Sequence, residues 1–283
     1  MSHANHRPVA LSVAGFDPSG ASGVLADLKT FSAHDCYGVA AVTTLTVQNT
    51  RETRKISPVD SNLLRMQMQM LWDDIEVAGV KVGLLGNRKN MDAVAESLEA
   101  RRETPVVADP VLRSSNGVEF LTEPELKHFK RLFFPRVDVL TPNAEEASRL
   151  LGVPVATLED MKAAAKLLHE EGVRRVVITG GHLEKPADVF YEGQDLEVFP
   201  GLRAESQNHG TGCTFSSAVL ANLITGRAAR ESIVLAKAYL SQAIARAYPI
   251  GAGRGPLNHL FRFGEAPVRL PPPEAVHEEP LHR

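Results

Sequence analysis

Short apolar runs rich in β-branched residues alternate with amphipathic helical segments along most of the chain, and this alternation restricts the fold more than any other feature. Val9–Ala14, Val39–Val47, Val80–Leu85, Val106–Ala108, Val137–Leu140 and Val176–Thr179 are predicted strands. Val24–Ser32, Leu63–Trp72, Met91–Leu98, Glu123–Leu132, Ala144–Leu151 and Leu158–His169 are predicted helices. The strand runs read as buried on both faces. The expected class is therefore α/β, a mostly parallel central sheet with helices on both faces. Beyond Thr179, Asp188–Tyr191 and Glu197–Phe199 flank Glu192-Gly193 and predict a hairpin. Helices over Thr214–Thr225 and Ala229–Ala247 close the fold. With 283 residues, 43% of them hydrophobic, and no internal repeat or linker, one domain over residues 9–263 is expected. A flexible N-terminus (1–8) and a flexible tail (264–283) with Pro271-Pro272-Pro273 are expected to flank it.

Asn208-His209-Gly210-Thr211-Gly212-Cys213-Thr214-Phe215-Ser216-Ser217-Ala218 carries the most chemistry. Glycines just before a helix permit a tight bend and leave the first helical N–H groups bare. At the positive end of the helix dipole, those groups form an anion site. Cys213 falls in the first turn, where the same field favours a thiolate and a lowered pKa. The alternative is a glycine-rich turn capping an ordinary helix, with Cys213 as filler. Gly15 to Gly20 has the glycine spacing of a P-loop, but Ala21 stands where the lysine belongs, so phosphates must be held elsewhere.

Several polar residues sit where strands end or helices begin. On a helix starting near Ser19, Gly20, Gly23 and Asp27 share one face, suited either to a flat ligand or to solvent. Gln48 ends a long strand; its carboxamide can both donate and accept, or it can simply cap the strand. Asp109 ends another strand and also begins an Asp-Pro turn. Asn143 and Glu146 have the spacing of a capping box, which leaves room for a further role. Cys36 reads as inert packing, and Met66, Met68 and Met70 as partly core, partly subunit interface.

Gly-Thr-Gly-Cys before Thr-Phe-Ser-Ser-Ala resembles the ribokinase superfamily, whose members usually have Gly-Ala-Gly-Asp with the Asp as base. Cysteine there is the form of hydroxymethylpyrimidine/phosphomethylpyrimidine kinases and their pyridoxal kinase relatives. Ala14-Gly15-Phe16-Asp17-Pro18-Ser19-Gly20-Ala21-Ser22-Gly23 resembles that family's opening signature. Val47-Gln48-Asn49-Thr50, Lys81-Val82-Gly83-Leu84-Leu85, Asp109-Pro110-Val111, Thr141-Pro142-Asn143 and Gly180-Gly181-His182 follow in its order. The resemblance runs from about Val9 to about Pro256 and implies a ribokinase-like three-layer sandwich. It implies MgATP-dependent phosphorylation of 4-amino-5-hydroxymethyl-2-methylpyrimidine and of its monophosphate, in thiamine biosynthesis. Cys213, Gly210 and Gly212 would be catalytic. Gly15, Asp27, Gln48 and Val111 would bind the pyrimidine, and Asn143, Thr179, Gly181 and Thr211 the nucleotide. Asp109 and Glu146 would hold magnesium. One departure stands out: many such kinases have Lys-Gly-Gly-His where this chain has Thr179, which puts one positive charge in doubt.

A net charge of −3 with scattered basic residues leaves no nucleic-acid footprint. Two cysteines make no disulfide framework, and no apolar stretch reaches membrane-spanning length, so a cytoplasmic protein is expected, with a homodimer as its assembly. Rivals are a pyridoxal kinase, a thiol hydrolase with a histidine base beside Cys213, and a pyrimidine-binding sensor that has lost transfer.

Overall fold

A computed structural model describes residues 6–113, 119–181, 183–201 and 208–263. His182 and the Pro-rich tail expected over 264–283 lie outside the described residues, as do residues 1–5. In chain order the elements are β1 (Val9–Phe16), α1 (Gly23–Ala33), β2 (Tyr37–Gln48), β3 (Thr53–Pro58), α2 (Ser61–Asp74), β4 (Val77–Val82), α3 (Arg88–Glu99) and β5 (Val106–Ala108). There follow α4 (Glu123–Phe133), β6 (Val139–Leu140), α5 (Ala144–Leu151), α6 (Leu158–Glu170), β7 (Val176–Gly180), β8 (Ala187–Glu192), β9 (Asp195–Pro200), α7 (Thr211–Ile224) and α8 (Ala229–Ala245).

The strands form one sheet in the order β3-β2-β1-β4-β5-β6-β7-β8-β9. From β2 to β7 all neighbours are parallel, while β3 at one edge and β8–β9 at the other pair antiparallel. The pleat sends alternate residues to opposite faces. Ala10, Val107, Val139 and Val177 pack with Phe31 of α1, Phe215 of α7 and Tyr239 of α8. Leu11, Val13, Val80, Val82, Leu140 and Ile178 pack with Met68, Met91, Phe129, Phe133, Met161 and Leu168 from α2 to α6. The three expected layers are present.

Two elements differ from expectation. Thr53–Pro58 was not predicted as a strand, because only Ile56 in it is a strong strand former. It pairs with β2 as an edge strand, where Arg54, Lys55 and Pro58 are at home. Helix α1 begins at Gly23 and not near Ser19, because the Asp17 carboxylate accepts from Ser19 N and Oγ and from Ser22 N and Oγ at 2.7–3.0 Å. The methionine series divides as its period-two spacing on a helix demands: Met68 is fully buried, whereas Met66 and Met70 are 64% and 70% exposed. No helix among the described residues is long and apolar enough to cross a membrane.

Candidate active site

The carboxyl ends of β1, β4, β5, β6 and β7 and the N-terminus of α7 open on one cavity of about 780 Å³. The chain leaves β1 toward β2 on one side and returns as β4 on the other, so the cavity lies outside the topological switch of the sheet. Gly15, Gln48, Asp109, Val111, Asn143, Glu146, Thr179, Gly181, Gly210, Thr211, Gly212 and Cys213 all line it. Gln48 on β2 and Thr179 on β7 are separated by β1, β4, β5 and β6. At strand spacing that is roughly 24 Å, room for two ligands end to end.

Gly210 is the N-cap of α7, left-handed at φ +87°, and a Cβ there would stand 1.8 Å from the Ala21 carbonyl oxygen. No side chain caps the helix, so its first N–H groups face the cavity unclaimed. Gly212 is not left-handed, and a Cβ on it would meet only Asp109 Oδ2, at 3.4 Å. The backbone demand of this turn thus falls on Gly210, while Gly212 keeps its surface bare. Cys213 follows, with the Gly23 N–H of α1 on its sulfur. The expected thiolate is corrected here. Burial pushes the thiol up to about 12; Lys81 pulls it down, but Asp109 and Asp27 push it further. Desolvation and two carboxylates outweigh the helix field. Among the described residues, no histidine is among the groups that act most strongly on Cys213, whereas a thiol hydrolase needs one as base.

Asp27 does not line the cavity, and direct ligand contact through it is corrected. The side chain is fully buried between α1, β1 and α7, accepting from Ser12 Oγ at 2.6 Å, Ser217 Oγ at 2.8 Å and Lys81 Nζ at 3.1 Å. Lys81 is equally buried and its Nζ lies 4.0 Å from Asp109 Oδ2. Burial opposes its charge, but Asp27, Cys213 and Asp109 hold it protonated. An anion, a cation and a second anion therefore run from beneath the floor into the cavity.

Asp109 is held above the usual carboxylate range by burial, against the pull of Lys81. Burial and then Asp109 raise Glu146 well above its ordinary value. Asn143 and Glu146 do form a capping box: Asn143 Oδ1 accepts from Glu146 N and Glu146 Oε2 from Asn143 N, both at 2.9 Å. The Leu112 backbone N–H also bonds the Glu146 carboxylate, which lines the cavity. Among the described residues no group of three or more His, Cys, Asp or Glu forms a metal cage. Two mutually repelling carboxylates still suit magnesium, which needs one or two and takes its other ligands from water and phosphate.

At the β2 end, Gln48 Oε1 accepts from Thr53 Oγ1 at 2.9 Å and Gln48 Nε2 lies 2.9 Å from His209 Nε2. The same histidine nitrogen is 3.4 Å from Asp17 Oδ2. Burial acts to raise Asp17, but His209, Ser19 and Ser22 outweigh it and hold the carboxyl down to about 2. The Gly15–Gly20 segment is therefore closed around its own carboxylate. At the other end, Lys237 of α8 lines the cavity beside Thr179 and is paired with Asp188.

A family profile described as Phosphomethylpyrimidine kinase matches residues 17–258. The chain belongs to the phosphomethylpyrimidine kinase family. A hydroxymethylpyrimidine/phosphomethylpyrimidine kinase of Aquifex aeolicus is 36% identical over 248 residues, covering 87% of this chain and 97% of that protein. A pyridoxine kinase of Bacillus subtilis is 35% identical over 257 residues, covering 88% and 95%. The crystal structure of an ADP complex of Bacillus subtilis pyridoxal kinase superposes with a TM-score of 0.84 at 34% identity, covering 92% of this chain and all of that one. The fold is thus ribokinase-like and the enzyme a phosphotransferase.

For a phosphomethylpyrimidine kinase, the residues that sequence reasoning missed are instructive. Lys81 was visible in the Lys81–Leu85 segment, but a lysine beside an apolar strand run does not announce itself as a buried ion. Thr53 stood in an unrecognised strand. Asp17 and His209 were visible as motif residues, but only the tertiary contacts reveal that they meet at Gln48. Lys237 brings a cation to the Thr179 end of the cavity, through its pairing with Asp188 opposite Thr179.

Proposed function

We propose that the chain uses MgATP to phosphorylate 4-amino-5-hydroxymethyl-2-methylpyrimidine, and then its monophosphate, supplying the pyrimidine diphosphate for thiamine biosynthesis. The observation that carries this reading is the cavity itself: bare N–H groups and Cys213 lie between a carboxamide at one end and Thr179 and Gly181 at the other. The pyrimidine ring sits against Gly15, Leu84 and Val111, with its amino edge on Gln48. The nucleotide lies along Thr179, Gly181 and Thr211, with Asn143 at its phosphates. Asp109 and Glu146 would hold magnesium, which would supply charge neutralisation at the phosphates. N–H groups of Gly210–Cys213 stabilise the transferring oxygens, since positioning and electrostatics dominate a loose phosphoryl transfer. Cys213 orients the substrate hydroxyl. As the P–O bond forms, its sulfur takes the hydroxyl proton, and its own S–H proton passes to the Asp109 carboxylate within reach. Asp27 acts from below, as the counterion of Lys81.

An ATP-coupled assay against the hydroxymethylpyrimidine, its monophosphate and pyridoxal tests this. Turnover of the first two with ADP release is the expected result. Turnover of pyridoxal alone would favour the second reading, which the pyridoxine kinase relative motivates. Pyrimidine binding without ADP release would indicate a sensor. We further propose a homodimer in the cytoplasm. Leu63, Met66 and Met70 form one exposed stripe on α2, and Leu45 and Val47 are exposed on β2, the strand that α2 contacts, giving apolar surface suited to a second copy. A single monomeric species in analytical ultracentrifugation would overturn that assembly.

A further inference from the structure

The β2 end of the cavity is organised by side chains that phosphoryl transfer itself does not use. The β2–β3 register shifts between Val47 and Gln48, leaving Val47 56% exposed outside while Gln48 lines the cavity. A carboxamide has two N–H donors and two acceptor lone pairs. Thr53 Oγ1 donates to Gln48 Oε1 at 2.9 Å, and Gln48 Nε2 lies 2.9 Å from His209 Nε2, to which it donates only when that nitrogen is bare. One N–H and one lone pair remain for a ligand. Side by side they complement an amino group next to a ring nitrogen, as glutamine does with adenine.

The two senses of the amide have nearly the same shape, so its partners alone choose between them. Turned over, Gln48 would present donor and acceptor to a ligand in the opposite order. His209 Nε2 faces two groups, Gln48 at 2.9 Å and Asp17 at 3.4 Å. Bare, that nitrogen accepts from the Gln48 amide; carrying hydrogen, it donates to Asp17 and requires Oε1 of Gln48 to face it. The Thr53 hydroxyl donates or accepts to match. His209 cannot drift to relax this choice, because its backbone N–H is bonded to Gly255 O at 3.0 Å and Gly210 follows it. Asp17 is fixed in turn by Ser19 and Ser22.

We propose that Thr53 and His209 are positioning residues that set the hydrogen-bonding sense of the Gln48 carboxamide, and so decide which heteroaromatic edge the cavity accepts. The inference rests on Gln48 facing the pyrimidine, as proposed above. It assigns acceptor selectivity to a relay running from the β1 loop to the edge strand, not to one side chain.

The test is kcat/KM for the hydroxymethylpyrimidine and for pyridoxal, in full-length protein, as a double-mutant cycle. Thr53→Val keeps the branched shape at a strand start and removes the hydroxyl. It should lower kcat/KM for the pyrimidine about tenfold, mainly through KM, with the ATP KM unchanged and pyridoxal affected less. Thr53→Ser should bring the ratio of the two constants back toward wild type. His209→Leu should lower the ratio in the same direction. In a Gln48→Met background, Thr53→Val should change the ratio no further, since no amide is left to orient. Multiplying losses in that background would overturn the inference. A Gln48→Met variant with an unchanged ratio would sink the pyrimidine reading of Gln48 and the inference with it. A collapsed ratio in Gln48→Met beside unchanged ratios in Thr53→Val and His209→Leu would sink the inference alone. Should His209→Leu fail to fold, the two Thr53 variants carry the decision.

Discussion

Gln48 Nε2 lies 2.9 Å from His209 Nε2, although 161 positions separate the two residues in the chain. His209 directly precedes Gly210, whose left-handed backbone opens the first turn of α7. The end of β2 and the turn that opens α7 are therefore joined by one side-chain contact. The β2–β3 turn and His209 are both tied to the segment after α8: Thr50 O accepts from Arg254 N at 2.8 Å, and Gly255 O accepts from His209 N at 3.0 Å.

The two glycines of the turn should separate in their effects. Gly210→Ala places a Cβ on a left-handed residue and drives it into the Ala21 carbonyl, so it should lose upward of about 1–2 kcal/mol of stability. Gly212→Ala meets Asp109 at ordinary contact distance and should keep the melting temperature while raising the ATP KM. Thermal melts and ATP kinetics on both variants check this. Equal melting temperatures would show that the turn carries no strain.

Cys213→Ala should keep ATP binding and lower kcat by on the order of 100- to 10,000-fold, the usual range for removing a proton-handling group. The thiol pushed up to about 12 is protonated at neutral pH. Alkylation of Cys213 by iodoacetamide should therefore rise close to tenfold per pH unit from 7 to 10, and ATP should slow it. A plateau near pH 8 would mean a thiolate already present. Cys36, buried and pushed up to about 11, should contribute little over this range.

Asp17 links pH to stability in the acid direction. Its folded value of about 2 lies below the unfolded 3.8, so it contributes stability that is fully present above pH 4 and lost as pH falls toward 2. The difference corresponds to about 2 kcal/mol at pH 7. Asp17→Asn should cost at least about that much at neutral pH, and the gap to wild type should narrow by pH 3. Urea denaturation at both pH values measures it; a gap independent of pH would assign the loss to the hydrogen bonds alone.

Lys81→Met should be severely destabilising, by about 3–5 kcal/mol, because it leaves the buried Asp27 carboxylate without its cation. Asp27→Asn combined with Lys81→Met removes both charges and should recover much of that stability. Its kcat should nevertheless stay well below wild type, since Asp109 has then lost the neighbouring ammonium. Recovery of full activity in the double variant would reduce the pair to a structural ion pair.

The sequence by itself determined the layers and the place of the site. Continuous apolar runs such as Val176–Thr179 can be satisfied only by burial on both faces, and the glycines before Thr214 can serve a helix start in few ways. Local chemistry settled these matters, so they were legible without coordinates. The edge strand Thr53–Pro58 was not, because an edge needs no apolar pattern and its pairing depends on β2. What only the tertiary structure decided is how buried charges are shared. Asp27 was a ligand contact by the family resemblance, its helical spacing leaving solvent equally open, and it proved to be a counterion. Cys213 looked like a thiolate by its position on α7 and is held as a thiol by burial and by Asp109 and Asp27. Electrostatic outcomes of this kind depend on distances between residues far apart in the chain and on the water they lose. Neither quantity is written in any local stretch of sequence.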